Sequence, residues 1–152
     1  MIIVPLSATD PDGDALSFSA SAQSLAFVLN QQAGGLTSHP EFDNFFGAGE
    51  KWLLAADGAT WYFLTSGGTL SLWDGSAAAS GAALGNVGAS YYADPSQIPA
   101  APADDPGATL AVSGDTLTIT RDPGFVSGMV VSVTVSDGRG GSDSRAFVVT
   151  VT

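Results

Sequence analysis

The 152-residue sequence contains no cysteine, which excludes a disulfide framework, a thiolate zinc site and a cysteine nucleophile. It contains one histidine, His39, so His-based metal and acid–base constellations have almost nothing to work with. Positive charge is scarce too. Lys51, Arg121, Arg139 and Arg145 stand against 15 acidic residues, for a net charge of −11. Nucleic acid and anionic membranes are held through their phosphates by a basic face. This chain has none to offer. No run approaches the roughly 18 apolar residues of a membrane-spanning helix, so membrane insertion is not expected. The N-terminus also lacks the cationic region and long apolar stretch of a signal peptide.

What is present suits a small β domain. The length is that of one ordinary domain, and a hydrophobic share of 45% is enough for a real core. Nineteen glycines and eight prolines promise many turns. Met1 runs straight into the strand-like Ile2-Ile3-Val4, which reads as a domain cut from a longer protein. Few lysines beside abundant Asp, Gly, Thr, Ser and Ala suit an extracellular bacterial surface repeat.

The two ends read differently from the middle. Residues 2–9 and 15–20 pattern as strands, as do Thr109–Val112, Thr116–Thr120, Met129–Ser136 and Arg145–Val151. The stretch Thr116-Leu117-Thr118-Ile119-Thr120 alternates with period two, the mark of a strand with one buried face. Ser113-Gly114-Asp115, Asp122-Pro123-Gly124 and Asp137–Gly141 supply turns between them. Six short strands at this spacing predict a β-sandwich built from residues 1–21 and 108–152.

Residues 22–107 read as one large insertion with a small α+β fold. Ala22–Gln32 reads as a helix, with Leu25, Val28, Leu29 and Gln32 at helical spacing and Gly34 and Gly35 as the stop signal. Lys51–Ala56, Thr60–Thr65 and Thr69–Trp73, joined by Asp57-Gly58 and Gly67-Gly68, predict a three-stranded meander. Residues 76–90 read as loop. The proline-rich segment 94–107 reads as an extended return strap.

The most informative residues are Asp10-Pro11-Asp12-Gly13-Asp14. Three carboxylates at alternate positions around a turn can converge on a hard cation, and Ca²⁺ takes six to eight oxygens. Equally, Asp, Pro and Gly are simply favoured in turns. Asp137 and, more weakly, Asp143 follow the penultimate strand and could reach the same pole of the sandwich.

The run Val4–Phe18 around these acids closely resembles the corresponding region of cadherin-like repeats, especially the dystroglycan-type repeats of bacterial surface proteins. Val131–Ser142 followed by Ala146–Thr152 looks like their last hairpin. The resemblance covers residues 2–21 and 108–152. It implies an Ig-like Greek-key sandwich in an extracellular structural or adhesive protein. It also implies calcium at the junction with a neighbouring repeat, with Asp10, Asp12, Asp14 and Asp137 as ligands. Such repeats begin one strand earlier, so the open edge here could also pair with another copy of the chain. Gly49–Leu53, Trp61–Leu64 and Leu70–Gly75 resemble, more distantly, a segment of large planctomycete-type surface proteins.

All three tryptophans, Trp52, Trp61 and Trp73, fall in the meander together with Tyr62. Aromatic faces stack on apolar sugar faces, so these residues, with Tyr91 and Tyr92, are candidates for binding a surface glycan or a peptide. Asp57 and Asp74 are placed to fix hydroxyls. The alternative is that most of these rings form the segment's own core. Period two puts Trp61 and Phe63 on one face, Tyr62 and Leu64 on the other, and sets Ser71 and Trp73 against Leu70 and Leu72. An enzyme is not expected. A serine triad would depend on His39, with no Gly-x-Ser-x-Gly elbow present. A glycosidase pair is not evident among Asp-Gly and Asp-Pro turns and two glutamates, Glu41 and Glu50. An isopeptide crosslink would need Lys51, the one lysine.

Overall fold

The computed structural model describes residues 1–98, 107–124 and 127–150. The chain is mainly β. In order, the elements are β1 (Ile2–Pro5), β2 (Ser17–Ser24), α1 (Leu25–Gln32), β3 (Leu36–Ser38), β4 (Lys51–Ala55), β5 (Trp61–Leu64) and β6 (Thr69–Trp73). They continue with β7 (Gly81–Asn86), α2 (Ser90–Ala93), β8 (Ala108–Ser113), β9 (Thr116–Arg121), β10 (Gly128–Ser136) and β11 (Ser142–Thr150).

The six strands from the two ends form two antiparallel sheets, ordered β1-β9-β8 and β11-β10-β2. The alternation in β9 does what period two demands, with Leu117 and Ile119 buried between them. Met129, Val131 and Val149 face them from the second sheet, flanked by Val4, Ala20, Ala22, Leu110 and Phe147. The first strand is shorter than its sequence pattern. Pairing with β9 stops at Pro5, the Leu6 N–H bonds to the Asp115 carbonyl at the β8–β9 turn, and β9 has no residues left to pair.

β2 instead runs longer than expected, to Ser24. Ala20 and Ala22 continue the inward-facing series opposite Val133 and Val131, and Ser24 then caps the helix by accepting the Phe27 N–H at 3.2 Å. The helix therefore occupies only Leu25–Gln32, and Gly34 and Gly35 end it with positive φ of 70° and 110°, as the stop signal requires.

The middle segment builds a third sheet, ordered β3-β4-β5-β6-β7. The expected meander is its centre. Two edge strands were not evident in sequence: β3 is three residues long, and β7 lies in the Ala/Gly/Ser-rich stretch read as loop. β7 is held by backbone pairing to β6, where side-chain pattern carries little. Residues 99–106, most of the expected strap, lie outside the described residues.

One face of this sheet is aliphatic. Leu53, Ala55, Leu64 and Leu70 pack on Leu25, Ala26, Leu36, Val87 and Ile98. Val130, on the outer side of β10, joins the same cluster, so α1 is clasped between the five-stranded sheet and the sandwich. Leu25 is the close fit. A Cβ built on Gly85 of β7 would lie 2.4 Å from its Cδ2, and one on Gly128 of β10 would lie 2.7 Å from the same atom.

Gly128 lies outside the left-handed region, so a methyl there tests packing alone. Gly128→Ala is expected to cost about 1–3 kcal/mol in a denaturant melt. Combined with Leu25→Ala it should cost clearly less than the sum of the two single losses. Additive losses would show that Leu25 does not fill the space between the two glycines.

Candidate functional site

The opposite face of the five-stranded sheet is aromatic. Trp52 pairs with Phe63, and Trp61 with Leu54, across β4 and β5, so period two brings these side chains to one face with Trp73 of β6. This is the division that sequence alternation predicts. What sequence does not reveal is the cover, the loop from His39 to Glu50, which lays Phe42, Phe45 and Phe46 over the tryptophans. Six rings (Phe42, Phe45, Phe46, Trp52, Trp61 and Trp73) line a pocket of about 210 Å³, with no other residue in its wall.

The rings meet steeply. Trp52 stands at 87° to Trp73 and 74° to Trp61, with centroids 5.6 and 6.2 Å apart. Phe42 meets Trp61 at 82° and Phe45 meets Phe46 at 88°. Edge-to-face contacts of this kind are favourable for aromatic quadrupoles. Trp52 is the floor, 4% exposed, whereas Phe42 and Phe45 at the mouth are 39% and 65% exposed. His39 lies outside the wall and packs on Trp61, its ring 5.2 Å from that indole and its Nδ1 2.7 Å from Glu41.

Phenylalanines do not stay exposed in a fixed place without something to hold their backbone. Here the holder is Glu50, 2% exposed. Its carboxylate accepts the N–H of Phe46 at 2.7 Å, the N–H of Ala48 at 3.0 Å and the indole N–H of Trp52 at 3.3 Å. Desolvation pushes this carboxyl's pKa up, but the three donors together outweigh it and hold it below the usual value of 4.5. The group is therefore buried and ionised at neutral pH, which is tolerable only because its oxygens are satisfied.

Asn44, at φ 57°, completes the turn. Its N–H donates to the Glu50 carbonyl at 2.8 Å and its side-chain oxygen accepts from Gly49 at 2.9 Å. Asp43 accepts the Trp52 N–H at 3.1 Å and pairs with Lys51 at 3.1 Å.

The expected ligand-binding residues divide. Trp52, Trp61 and Trp73 come together in the pocket. Tyr62, Tyr91 and Tyr92 do not: all three pack against the aliphatic core on the other face, because Tyr62 is out of phase with Trp61. Tyr92 instead donates its hydroxyl hydrogen to the Gly49 carbonyl at 2.6 Å. Asp57 and Asp74 serve their own turns. Hydrogen bonds from Thr60 lower the Asp57 pKa, and those from Ser76 and Ser80 lower that of Asp74. The missed residues are Phe42, Phe45, Phe46 and Glu50. Their signal was a phenylalanine-rich stretch between Pro40 and Gly47, followed by an isolated glutamate before a tryptophan.

The acidic turns lie together at one pole of the sandwich, where Asp10, Asp137 and Asp143 line a hollow of about 160 Å³. Their oxygens are turned to local work. Asp10 accepts the N–H groups of Asp12 and Asp14 at 2.8 and 3.1 Å. Asp137 accepts those of Arg139 and Gly141 at 2.7 and 3.0 Å. Asp14 pairs with Arg139 at 3.3 Å, and Asp143 with Arg145 at 3.5 Å. Among the described residues no group of three or more acidic or histidine side chains is placed to hold a metal ion.

No family model, curated protein or solved structure matches the chain. Among the described residues no helix is long and apolar enough to cross a membrane.

Two outcomes follow from these geometries. Glu50→Gln is expected to cost about 1.5–3 kcal/mol at neutral pH, since a charged acceptor of several N–H groups is lost. Because the folded pKa is lowered, the Glu50 contribution is complete above the unfolded value of 4.5 and is lost as pH falls through the folded value. The gap between variant and parent in denaturant midpoints should therefore close in acid, and a pH-independent gap would show that the charge is irrelevant. For the acidic pole, Asp10→Ala should lower the melting temperature equally in chelator and in excess calcium. A calcium-specific rise of several degrees in the parent, absent in the variant, would instead assign these carboxylates to the ion.

Proposed function

We propose that this chain is a ligand-binding module of a large extracellular bacterial surface protein. In this reading an Ig-like sandwich of cadherin-like type acts as scaffold. The five-stranded sheet is its insertion and carries the recognition site for an apolar-surfaced group on an extracellular peptide or glycan. The sheet orders β1-β9-β8 and β11-β10-β2 support the Ig-like part, because they follow the B-E-D and C-F-G pairing of such sandwiches. The acidic, lysine-poor composition supports the extracellular address.

The observation that carries the functional part is the pocket itself. Two phenylalanines are left exposed at its mouth, on a loop whose backbone is fixed by a buried carboxylate. Exposed apolar surface that is held rigid marks a binding site more often than a defect of folding. Its wall contains six aromatic rings and no nucleophile or acid–base group, which supports binding rather than catalysis. Within a longer protein such a module would serve adhesion, with neighbouring repeats spacing it from the cell.

Pairing of copies through the free edge of β1, the edge that the first strand of such repeats covers, is a second reading, favoured by Ile2 and Ile3 at 43% and 60% exposure. At the free edge of β11, Arg145 and Asp143 stand opposite the inward-facing Val133 and Val135, and charges at such positions discourage strand addition.

The test uses N-phenyl-1-naphthylamine, a neutral apolar fluorophore. Saturable binding to the parent that is weakened about tenfold or more in Trp61→Ala, a truncation worth roughly 1.4 kcal/mol or more of contact, is the expected result. The variant's melting curve should still show a folded protein. No saturable binding, or binding indifferent to Trp61→Ala, would overturn the reading.

A further inference from the structure

We propose that the aromatic pocket recognises a quaternary ammonium group of the choline type, carried on a water-soluble peptide or glycan. This rests on the reading of the pocket as a ligand site and names the chemistry of its occupant. The wall is the first argument. The chain fills its other face with Leu, Val and Ile, which would serve an aliphatic guest equally well, yet here it uses rings alone. Rings set at 38–88° to one another, most of them at 63° or more, enclose the space between them with π density. Such a box attracts a cation that is too large and too poorly hydrated to prefer water.

A sugar would ask for something else. Its hydroxyls need polar partners, and the indole N–H groups of Trp52 and Trp73 are already spent on Glu50 and the Ala78 carbonyl at 3.3 and 2.9 Å. The remaining polar group of the wall is the Trp61 indole N–H, a single donor where a sugar presents several hydroxyls.

Charge is the second argument. Between residues 22 and 98 the acids are Glu41, Asp43, Glu50, Asp57, Asp74 and Asp94, against Lys51 as the one lysine or arginine. Lys51 is occupied, bound to Asp43 at 3.1 Å and lying 5.4 Å from the centre of the Tyr92 ring. His39 is bound to Glu41. The sheet that carries the pocket is thus negative with its own cations engaged. Glu50 also sits at the N–H edge of the Trp52 floor, and its hydrogen bond to the indole draws electron density onto that ring. A carboxylate at the ring's edge attracts a cation without lining the wall.

The three tryptophans all line the pocket, so intrinsic fluorescence reports on this site alone. The probes are choline and tetramethylammonium, with 3,3-dimethyl-1-butanol as the neutral isostere of choline, and phosphatidylcholine vesicles as the membrane form of the same group. The expected result is saturable binding of both cations, about tenfold tighter than the isostere. Phe42→Leu/Phe45→Leu keeps the mouth apolar while removing two of the six π faces, and should cut the ratio of choline to isostere affinity several-fold; an unchanged ratio would overturn the proposal. If the isostere binds as well as choline, the cation proposal fails and the pocket stands as a ligand site. If none of the small probes binds, the cation proposal fails, and the ligand-site reading is decided by the naphthylamine test alone. Binding to vesicles without binding to free choline would also overturn the proposal, because the occupant would then be a bilayer surface.

Discussion

The buried carboxylate of Glu50 is the interaction on which the pocket side of this molecule depends. A charge at 2% exposure is costly unless every available lone pair direction is used. Glu50 meets that cost with donors from both partners it must join, the Phe46 and Ala48 amides of the loop and the Trp52 indole of the sheet. The loop cannot move away without leaving an unpaired ion in an apolar layer. Three phenylalanines are thereby held over three tryptophans, and the desolvation that makes the arrangement expensive also makes it specific.

The five-stranded sheet has two faces with different duties, and period two separates them cleanly. One face belongs to the fold. It packs aliphatic side chains on α1, and α1 in turn reaches Val130 of the sandwich, with Leu25 filling the space left by Gly85 and Gly128. The other face carries the six-ring pocket, and its aromatic layer can be half-exposed because it is not needed to close the core. Tyr91 and Tyr92 illustrate the division. They look like groove-rimming residues, yet they pack on the aliphatic side, and Tyr92 reaches the pocket loop only through the Gly49 carbonyl.

The acidic pole shows a chain economising on ligands for its own backbone. Asp10, in the loop after β1, and Asp137, directly after β10, each use one oxygen to close a turn. Arg139 links the two turns through Asp14. These turn bonds and the Arg139–Asp14 pair brace the end of the sandwich.

Much of this was legible in the residues. Alternation in Thr116–Thr120 named Leu117 and Ile119 as core, the Asp57-Gly58 and Gly67-Gly68 turns placed the meander, and phase alone parted Trp61 from Tyr62. These features depend on local periodicity, which sequence carries in full. Edge strand β7 was hidden because it is held by backbone pairing to β6, and Gly and Ala write no pattern. The pocket loop was hidden for a deeper reason. Phe42, Phe45 and Phe46 follow no period, and Glu50 read as a spare acid until the fold brought three N–H donors to it. Sequence determined which residues alternate and where the chain turns. Tertiary structure alone decided which carboxylate is buried, because burial and its hydrogen-bond partners come from segments that meet only in space.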